Sequence, residues 1–238
     1  PPDGGTVSPT LAERSLPGQI IVAGTGRRFM NEAVNYMTAG RIMLGLDDGE
    51  APHLPAWMVC DQRYRNLYPL GAGAVMPRQA IPREWFDQGM AHTAETLPEL
   101  AALIEMPDLP ETVARFNVMA EQGNDTEFGR GSTAYDRYYG DPNVRPNPCL
   151  APLKQAPFYA VRIVPSDLGT CGGLKADHRG RVLDDDDTPI PGLYAMGNAA
   201  GNVFGAFYPG PGATIGQGLA FGTIIAAHAA GQIPDSSP

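Results

Sequence analysis

The chain has 238 residues, 43% of them hydrophobic, and a net charge of −9 from 17 Lys and Arg against 26 Asp and Glu. That is enough chain to bury a real core in one large or two small domains, and the acidic balance, with no basic run longer than Arg27-Arg28, argues against a nucleic-acid partner. Three cysteines without metal or disulfide spacing argue against a zinc site and a disulfide framework, and no run of about 18 apolar residues is present to span a membrane.

Residues 1–16 open with prolines and glycines, have no initiator Met and no hydrophobic period, and read as a linker or a cut end. The basic-then-apolar order of a signal peptide is missing, and unpaired cysteines suit a reducing compartment, so the expected location is cytoplasmic. Pro17 to Val22 predicts a strand, and Gly24-Thr25-Gly26 a tight turn. From Arg27 to Leu44 the residues Phe29, Ala33, Tyr36 and Ala39 or Gly40 recur at helical spacing. On that helix Arg27, Arg28 and Glu32 read as a solvated charged patch with Arg28 and Glu32 paired at i, i+4, and Tyr36 by itself reads as a half-buried core tyrosine.

Trp57 to Asp61 predicts a strand, and Tyr64 to Leu70 an aromatic loop that either lines a cleft or caps the core. His92 sits in a helix-start context and, lacking a partner motif, reads as structural. Two helices follow: Pro98 to Ile104 with Thr96 as N-cap, and Pro110 to Glu121 with Asp108 as cap and Val113, Phe116, Asn117 and Ala120 on one face. Gly123-Asn124-Asp125 ends the second, and Glu127 to Pro148 is irregular. Phe158 to Val164 and Gly169 to Asp177 predict strands, and Arg179 to Leu183 pairs across a turn. Asp184 to Asp187 lacks the spacing of a calcium loop and reads as a solvated turn. Neither Gly24-Thr25-Gly26 nor Gly71-Ala72-Gly73 has the third glycine of a dinucleotide-binding turn.

The most informative stretch comes last. Gly192-Leu193-Tyr194-Ala195-Met196-Gly197-Asn198 is a short strand ending on a glycine. Phe207-Tyr208-Pro209-Gly210-Pro211-Gly212-Ala213-Thr214-Ile215-Gly216 follows, and Gly212 to Ala230 reads as a helix. Glycines let backbone N–H groups approach a large flat ligand, and an Asn side chain can bond a hydroxyl of it.

With Ser166 to Leu174 and Gly26-Arg27-Arg28-Phe29-Met30-Asn31-Glu32-Ala33, these segments resemble, in order from about Leu16 to Gly231, the C-terminal half of a 3-ketosteroid Δ1-dehydrogenase of the fumarate-reductase-like FAD flavoproteins. The resemblance implies a fold that is α/β plus α+β. It predicts an α+β catalytic lobe over 17–165, and over 166–238 the C-terminal part of a Rossmann-like FAD-binding domain whose GxGxxG unit lies outside this chain. It implies FAD on Gly197, Asn198, Gly212, Ala213, Thr214 and Ile215, with the helix dipole favouring a reduced flavin. It gives Tyr208 and the Gly212 N–H as donors to a steroid 3-keto oxygen, and Tyr36 as the base for the C2 proton. A phenol, with a reference pKa near ~10, needs help to act as a base; the family supplies it from a tyrosine in the half not present here.

The implied partners are the 3-ketosteroid, a second chain or N-terminal half carrying the phosphate loop, and an external electron acceptor; no metal is implied. Gly216-Gln217-Gly218 and Cys171 depart from the family pattern and bear on substrate preference. Fumarate reductases place a His and an Arg where this chain has Leu168-Gly169 and Tyr208-Pro209, so a dianionic substrate would lack its cations. The alternatives are a related dehydrogenase acting on the steroid 4,5 bond or another cyclic ketone, and a non-catalytic assembly subunit.

Overall fold

In a computed structural model of the chain, residues 10, 12–46, 49, 51–71, 73–167, 169–170, 172–205 and 207–234 are described. Backbone packing groups the chain into two units, Pro1–Val34 with Thr38–Ser166, and Asn35–Met37 with Asp167–Pro238.

The first unit is built on a five-stranded antiparallel sheet: β1 (Gln19–Ala23), β2 (Arg27–Arg28), β3 (Ala56–Asp61), β4 (Ala91–Ala94) and β5 (Phe158–Ile163), in the order β2-β1-β3-β5-β4. The uninterrupted apolar runs of β1 and β3 are buried on both faces, which is why they lack polar alternation. Ile20, Val22, Trp57, Val59, Phe158 and Ala160 face a layer made by α4 (Leu97–Leu103) and α5 (Leu109–Gln122), with Leu100, Val113 and Phe116 at its centre. Ile21, Ala23, Met58, Cys60 and Ala91 face the other way. They pack on Met30, Tyr64, Tyr68 and Leu70 and on Ala39 and Met43 of α1 (Tyr36–Met43).

The capping expectations divide. Thr96 Oγ1 accepts from the Glu99 N–H and the Glu99 carboxylate accepts from the Thr96 N–H, a closed capping box on α4. Thr96→Ala is therefore expected to cost about 1 kcal/mol, read as a lower urea midpoint with an unchanged m value. Asp108 stands at the N-cap of α5, but its side chain makes no capping bond. Its carboxylate accepts from Thr25 Oγ1 at 2.7 Å and Arg27 Nε at 2.8 Å, fastening the β1–β2 turn to the start of that helix. These two hydrogen bonds hold its pKa below the usual range.

The helix placed from Arg27 onward is corrected: Arg27–Arg28 is strand β2, and α1 begins only at Tyr36. The reason is a buried ion cluster. Arg28 bonds both oxygens of Glu32 (2.9 and 2.8 Å) and both of Asp125 (3.1 and 2.7 Å), while Arg130 Nη1 reaches Glu32 Oε2 at 3.2 Å. The side chains of Arg28, Glu32, Asp125 and Arg130 are all fully shielded from solvent. Only Arg27 is the surface charge that the sequence suggested. Arg14, in a buried turn at Glu13–Ser15, donates to the carbonyls of Glu32 (2.8 Å) and Val34 (3.2 Å), so the loop after β2 is held by charge and not by helical bonds.

Other elements also differ. Tyr64 to Leu70 is not all loop: α2 (Gln62–Leu67) is capped by Asp61, whose Oδ1 accepts from the Tyr64 N–H, and Tyr64 and Tyr68 pack edge to face in the core. Short helices α3 (Arg83–Asp87) and α6 (Ala134–Tyr138) punctuate the irregular stretches. His92 lies in strand β4, its ring edge-on to Trp57. Cys60 and Cys149 are free and buried; burial pushes both thiols up, Cys149 to about 11. Cys171 and Leu168 lie outside the described residues.

The second unit holds a hairpin of β6 (Arg181–Leu183) and β7 (Pro189–Tyr194) and the helix α7 (Ala213–Ala229). Gly169 to Asp177 does not form the expected strand; it makes isolated bridges from Leu174 to Ala200 and from Ala176 to Val182. The unit's own core is small: Val182, Ala195 and Ala200. No described residue of α7 is buried, and Ile215 and Leu219 are 70% and 69% exposed. Among the described residues no helix is long and apolar enough to cross a membrane.

Candidate active site

The second unit brings most of the predicted site residues together. β7 is held at its end by the Tyr194 hydroxyl, 2.8 Å from His228 Nδ1 on α7, and by the Ala195 N–H bonding the Gly180 carbonyl. The chain then tightens into a single 3-10 turn at Gly197–Ala199. Gly197, Asn198, Tyr208, Ala213 and Thr214 line one small cleft, together with Asn202, Phe204 and Gln217.

Tyr36, which groups with this unit, lies with its ring centroid 6.1 Å from that of Tyr208 at a 37° tilt. Both tyrosines are half-buried. Gly212 stands at the N-cap of α7 with φ 92°, a conformation that a side chain strains. Ile215 is in the first helical turn, is 70% exposed and does not line the cleft.

Two observations test whether a large flat cofactor fits here. A methyl group added at Gly212 or Gly216 would meet nothing within 4 Å, so these glycines are not demanded by packing among the described residues. Glycine inside a helix costs roughly 1 kcal/mol relative to alanine, and the space at Gly216 suits close approach by another molecule. Asn198 is exposed, and the first turn of the 17-residue helix α7 supplies backbone N–H donors with a favourable dipole for an anionic group. The residues fit a flavin.

The cleft-lining set has no lysine, arginine, aspartate or glutamate. The Asp184–Asp187 turn lies away from these residues in sequence and is exposed, its Asp184 carboxylate accepting from the Asp186 and Thr188 N–H groups. Among the described residues no cluster of His, Cys, Asp or Glu could hold a metal ion. Sequence reasoning missed Asn202 and Phe204. The Asn-Val-Phe-Gly order at 202–205 is a turn signal that could have flagged the first. Gln217, noticed as a departure from the family pattern, donates to the Gly201 carbonyl at 3.2 Å and so ties α7 to the start of the loop.

Known proteins resemble this chain. The FAD binding domain family matches residues 4–215. The 3-oxosteroid 1-dehydrogenase of Mycobacterium tuberculosis is 48% identical over 93% of this chain and 40% of its own length. The 4-oxocyclohexanecarboxylate 2-dehydrogenase of Sinomonas cyclohexanicum is 44% identical over 92% of this chain and 38% of its own length. The crystal structure of the 3-ketosteroid Δ1-dehydrogenase of Sterolibacterium denitrificans, in complex with 1,4-androstadiene-3,17-dione, superposes with a TM-score of 0.86 at 42% identity, covering 95% of this chain and 41% of that one. The chain therefore spans about 40% of the length of these relatives.

Proposed function

The chain belongs to the FAD binding domain family and is homologous to part of the 3-ketosteroid Δ1-dehydrogenases, and on that premise we propose that it is the ketone-activating part of a flavoenzyme that desaturates the 1,2 bond of a 3-ketosteroid. The observation that carries the reading is the approach of the Tyr36 and Tyr208 rings, whose centroids lie 6.1 Å apart. Tyr208 O–H and the Gly212 N–H donate to the 3-keto oxygen and stabilise the negative charge that develops there. Tyr36 takes the C2 proton as its own hydroxyl proton passes to the helper tyrosine expected from the half outside this chain. FAD, when bound, supplies the acceptor for the hydride that leaves C1. Gly197 and Asn198 would hold the cofactor's ribityl and pyrophosphate side, and the first turn of α7, Ala213 to Ile215, would turn its dipole toward the ring, the Ala213 N–H itself donating to the Gly210 carbonyl at 3.2 Å.

The fold reading follows the same division. The 17–165 segment is the catalytic lobe, and 166–238 completes a Rossmann-like FAD domain whose phosphate loop comes from sequence outside this chain. The bare apolar surface of α7 and the three-residue core around Val182 support that reading, because so little burial leaves the unit short of cover. We assign the assembled enzyme to the cytoplasm, where buried free thiols stay reduced, and expect an external electron acceptor to reoxidise it.

A second reading, desaturation of a smaller cyclic ketone, is favoured by the likeness to the oxocyclohexanecarboxylate enzyme. Product analysis separates them: the assembled protein is given a saturated 3-ketosteroid, a Δ4 3-ketosteroid and 4-oxocyclohexanecarboxylate. A new 1,2 double bond in both steroids is expected. A 4,5 double bond, or turnover of the carboxylate alone, would replace the steroid reading.

A further inference from the structure

We propose that Asn202 is a positioning residue for Tyr208: its carboxamide sets the loop that presents the Tyr208 hydroxyl to the keto oxygen, an inference that rests on the assignment of that hydroxyl as a donor. The side chain of Asn202 is committed to its own loop. Nδ2 donates to the carbonyls of Gly205 at 2.9 Å and Phe207 at 2.8 Å, and Oδ1 accepts from the Phe204 N–H at 3.2 Å. The last carbonyl belongs to the peptide whose nitrogen is that of Tyr208, so the clamp ends on the bond that aims the tyrosine.

Little else fixes this segment among the described residues. Val203, Phe204 and Phe207 are 53%, 43% and 41% exposed, so apolar burial does not anchor it. The Gly205 N–H to Asn202 carbonyl bond closes one turn, the Gly201 N–H to Leu174 carbonyl bond holds the start, and the carboxamide adds the three bonds between them. Only an amide side chain can serve all three backbone groups at once, since two need a donor and one an acceptor. Gln217 extends the same frame: its Nε2 holds the carbonyl of Gly201, the residue before Asn202, from within α7. The two donors assigned to the keto oxygen, on Tyr208 and at the Gly212 N-cap, are thus both referred to the Gly201-Asn202 peptide.

The test uses Asn202→Asp, which keeps the shape and the acceptor but loses both donors, and Asn202→Ala, which loses all three bonds. Each is made in the chain assembled with the rest of the flavoprotein. The primary readout is exchange of the C2 protons of a 3-ketosteroid in D2O, which needs keto activation and a base but no net oxidation. FAD content and amide exchange across residues 202–208 are measured beside it. The expected result is C2 exchange slowed roughly ten- to hundredfold, the scale of a small misplacement of a catalytic group. Faster amide exchange should be confined to the loop, with FAD content unchanged.

Wild-type C2 exchange in both variants overturns the inference, and so does loss of FAD with unfolding in both, which would make Asn202 a folding residue. Where only the aspartate variant fails to fold, the alanine variant decides. Tyr208→Phe, run in parallel, separates the two layers. If it exchanges C2 protons at the wild-type rate, the assignment of the hydroxyl has failed and this inference falls with it. If it is slow and the Asn202 variants are not, only the inference falls.

Discussion

Tyr36→Phe, made in the assembled flavoprotein, is expected to lower kcat roughly 10²–10⁴-fold, the range for loss of a positioned general base. The substitution keeps the ring that approaches Tyr208 at 6.1 Å and removes only the hydroxyl. Packing at the start of α1 is therefore preserved, and FAD content should match the wild type. In the proposed assignment the lost group acts on the C2 proton and not on the bound ketone, so KM should move little while kcat and kcat/KM fall together. Steady-state kinetics with a Δ4 3-ketosteroid read the split directly. A raised KM with wild-type kcat would make Tyr36 a binding residue, and unchanged kinetics would return it to the half-buried core tyrosine that its local sequence suggests.

The largest loss of stability is expected at Glu32. Its carboxylate lies fully buried between Arg28 and Arg130 and accepts in addition from the Ile21 N–H at 3.2 Å. The Arg28 guanidinium is sandwiched at 5.0 Å from the Phe116 ring and 5.1 Å from the Phe128 ring, so it cannot turn to water when its partner goes. Removing one member of a buried pair typically costs about 3–5 kcal/mol, because the remaining charge is stranded. Glu32→Ala should lower the urea midpoint by that amount divided by m, and Glu32→Gln, which keeps the shape, should still lose most of it. An unchanged midpoint in both would show that the cluster relaxes into solvent.

The same cluster sets an acid limb. Burial alone would raise the Glu32 and Asp125 pKa values, but the facing arginines outweigh it and hold both carboxyls below their ordinary range. A carboxyl depressed in the folded state stabilises the protein above its unfolded value, about pH 4, and that contribution drains away as pH falls through the folded value. Stability measured by urea titration should fall below about pH 4 in the wild type, and more shallowly in Glu32→Gln.

How legible this was depended on the kind of signal. Ile20-Ile21-Val22 and Trp57-Met58-Val59-Cys60 could be read as strands because an apolar run bounded by turns carries its own evidence. The capping box at Thr96 and Glu99 was written in adjacent residues. Arg28 and Glu32 misled because their i, i+4 spacing satisfies a helix and a charge cluster equally well, and the groups that decide, Asp125 and Arg130, lie about a hundred positions away. Asp108 misled for the same reason, since Thr25 and Arg27 claim its carboxylate from across the chain.

The site divided in the same way. Gly197, Asn198, Tyr208, Ala213 and Thr214 were singled out through family resemblance, and what the structure adds is that they share one cleft. Asn202 was not, because its role is to bond its own backbone and no pattern of chemistry announces that. Helix α7 has no single apolar face, its few polar residues being scattered around it, so its sequence could not say which side meets a cofactor and which meets other protein.

The most direct test of the account is an anaerobic single turnover. The chain, assembled with the remainder of its flavoprotein and carrying oxidised FAD, is mixed with androst-4-ene-3,17-dione, and flavin absorbance is followed while the steroid is analysed by mass. The account predicts that the flavin bleaches and that one 1,2-unsaturated steroid forms per flavin reduced. A flavin that stays oxidised with the steroid unchanged, in a protein that retains its FAD, would contradict it.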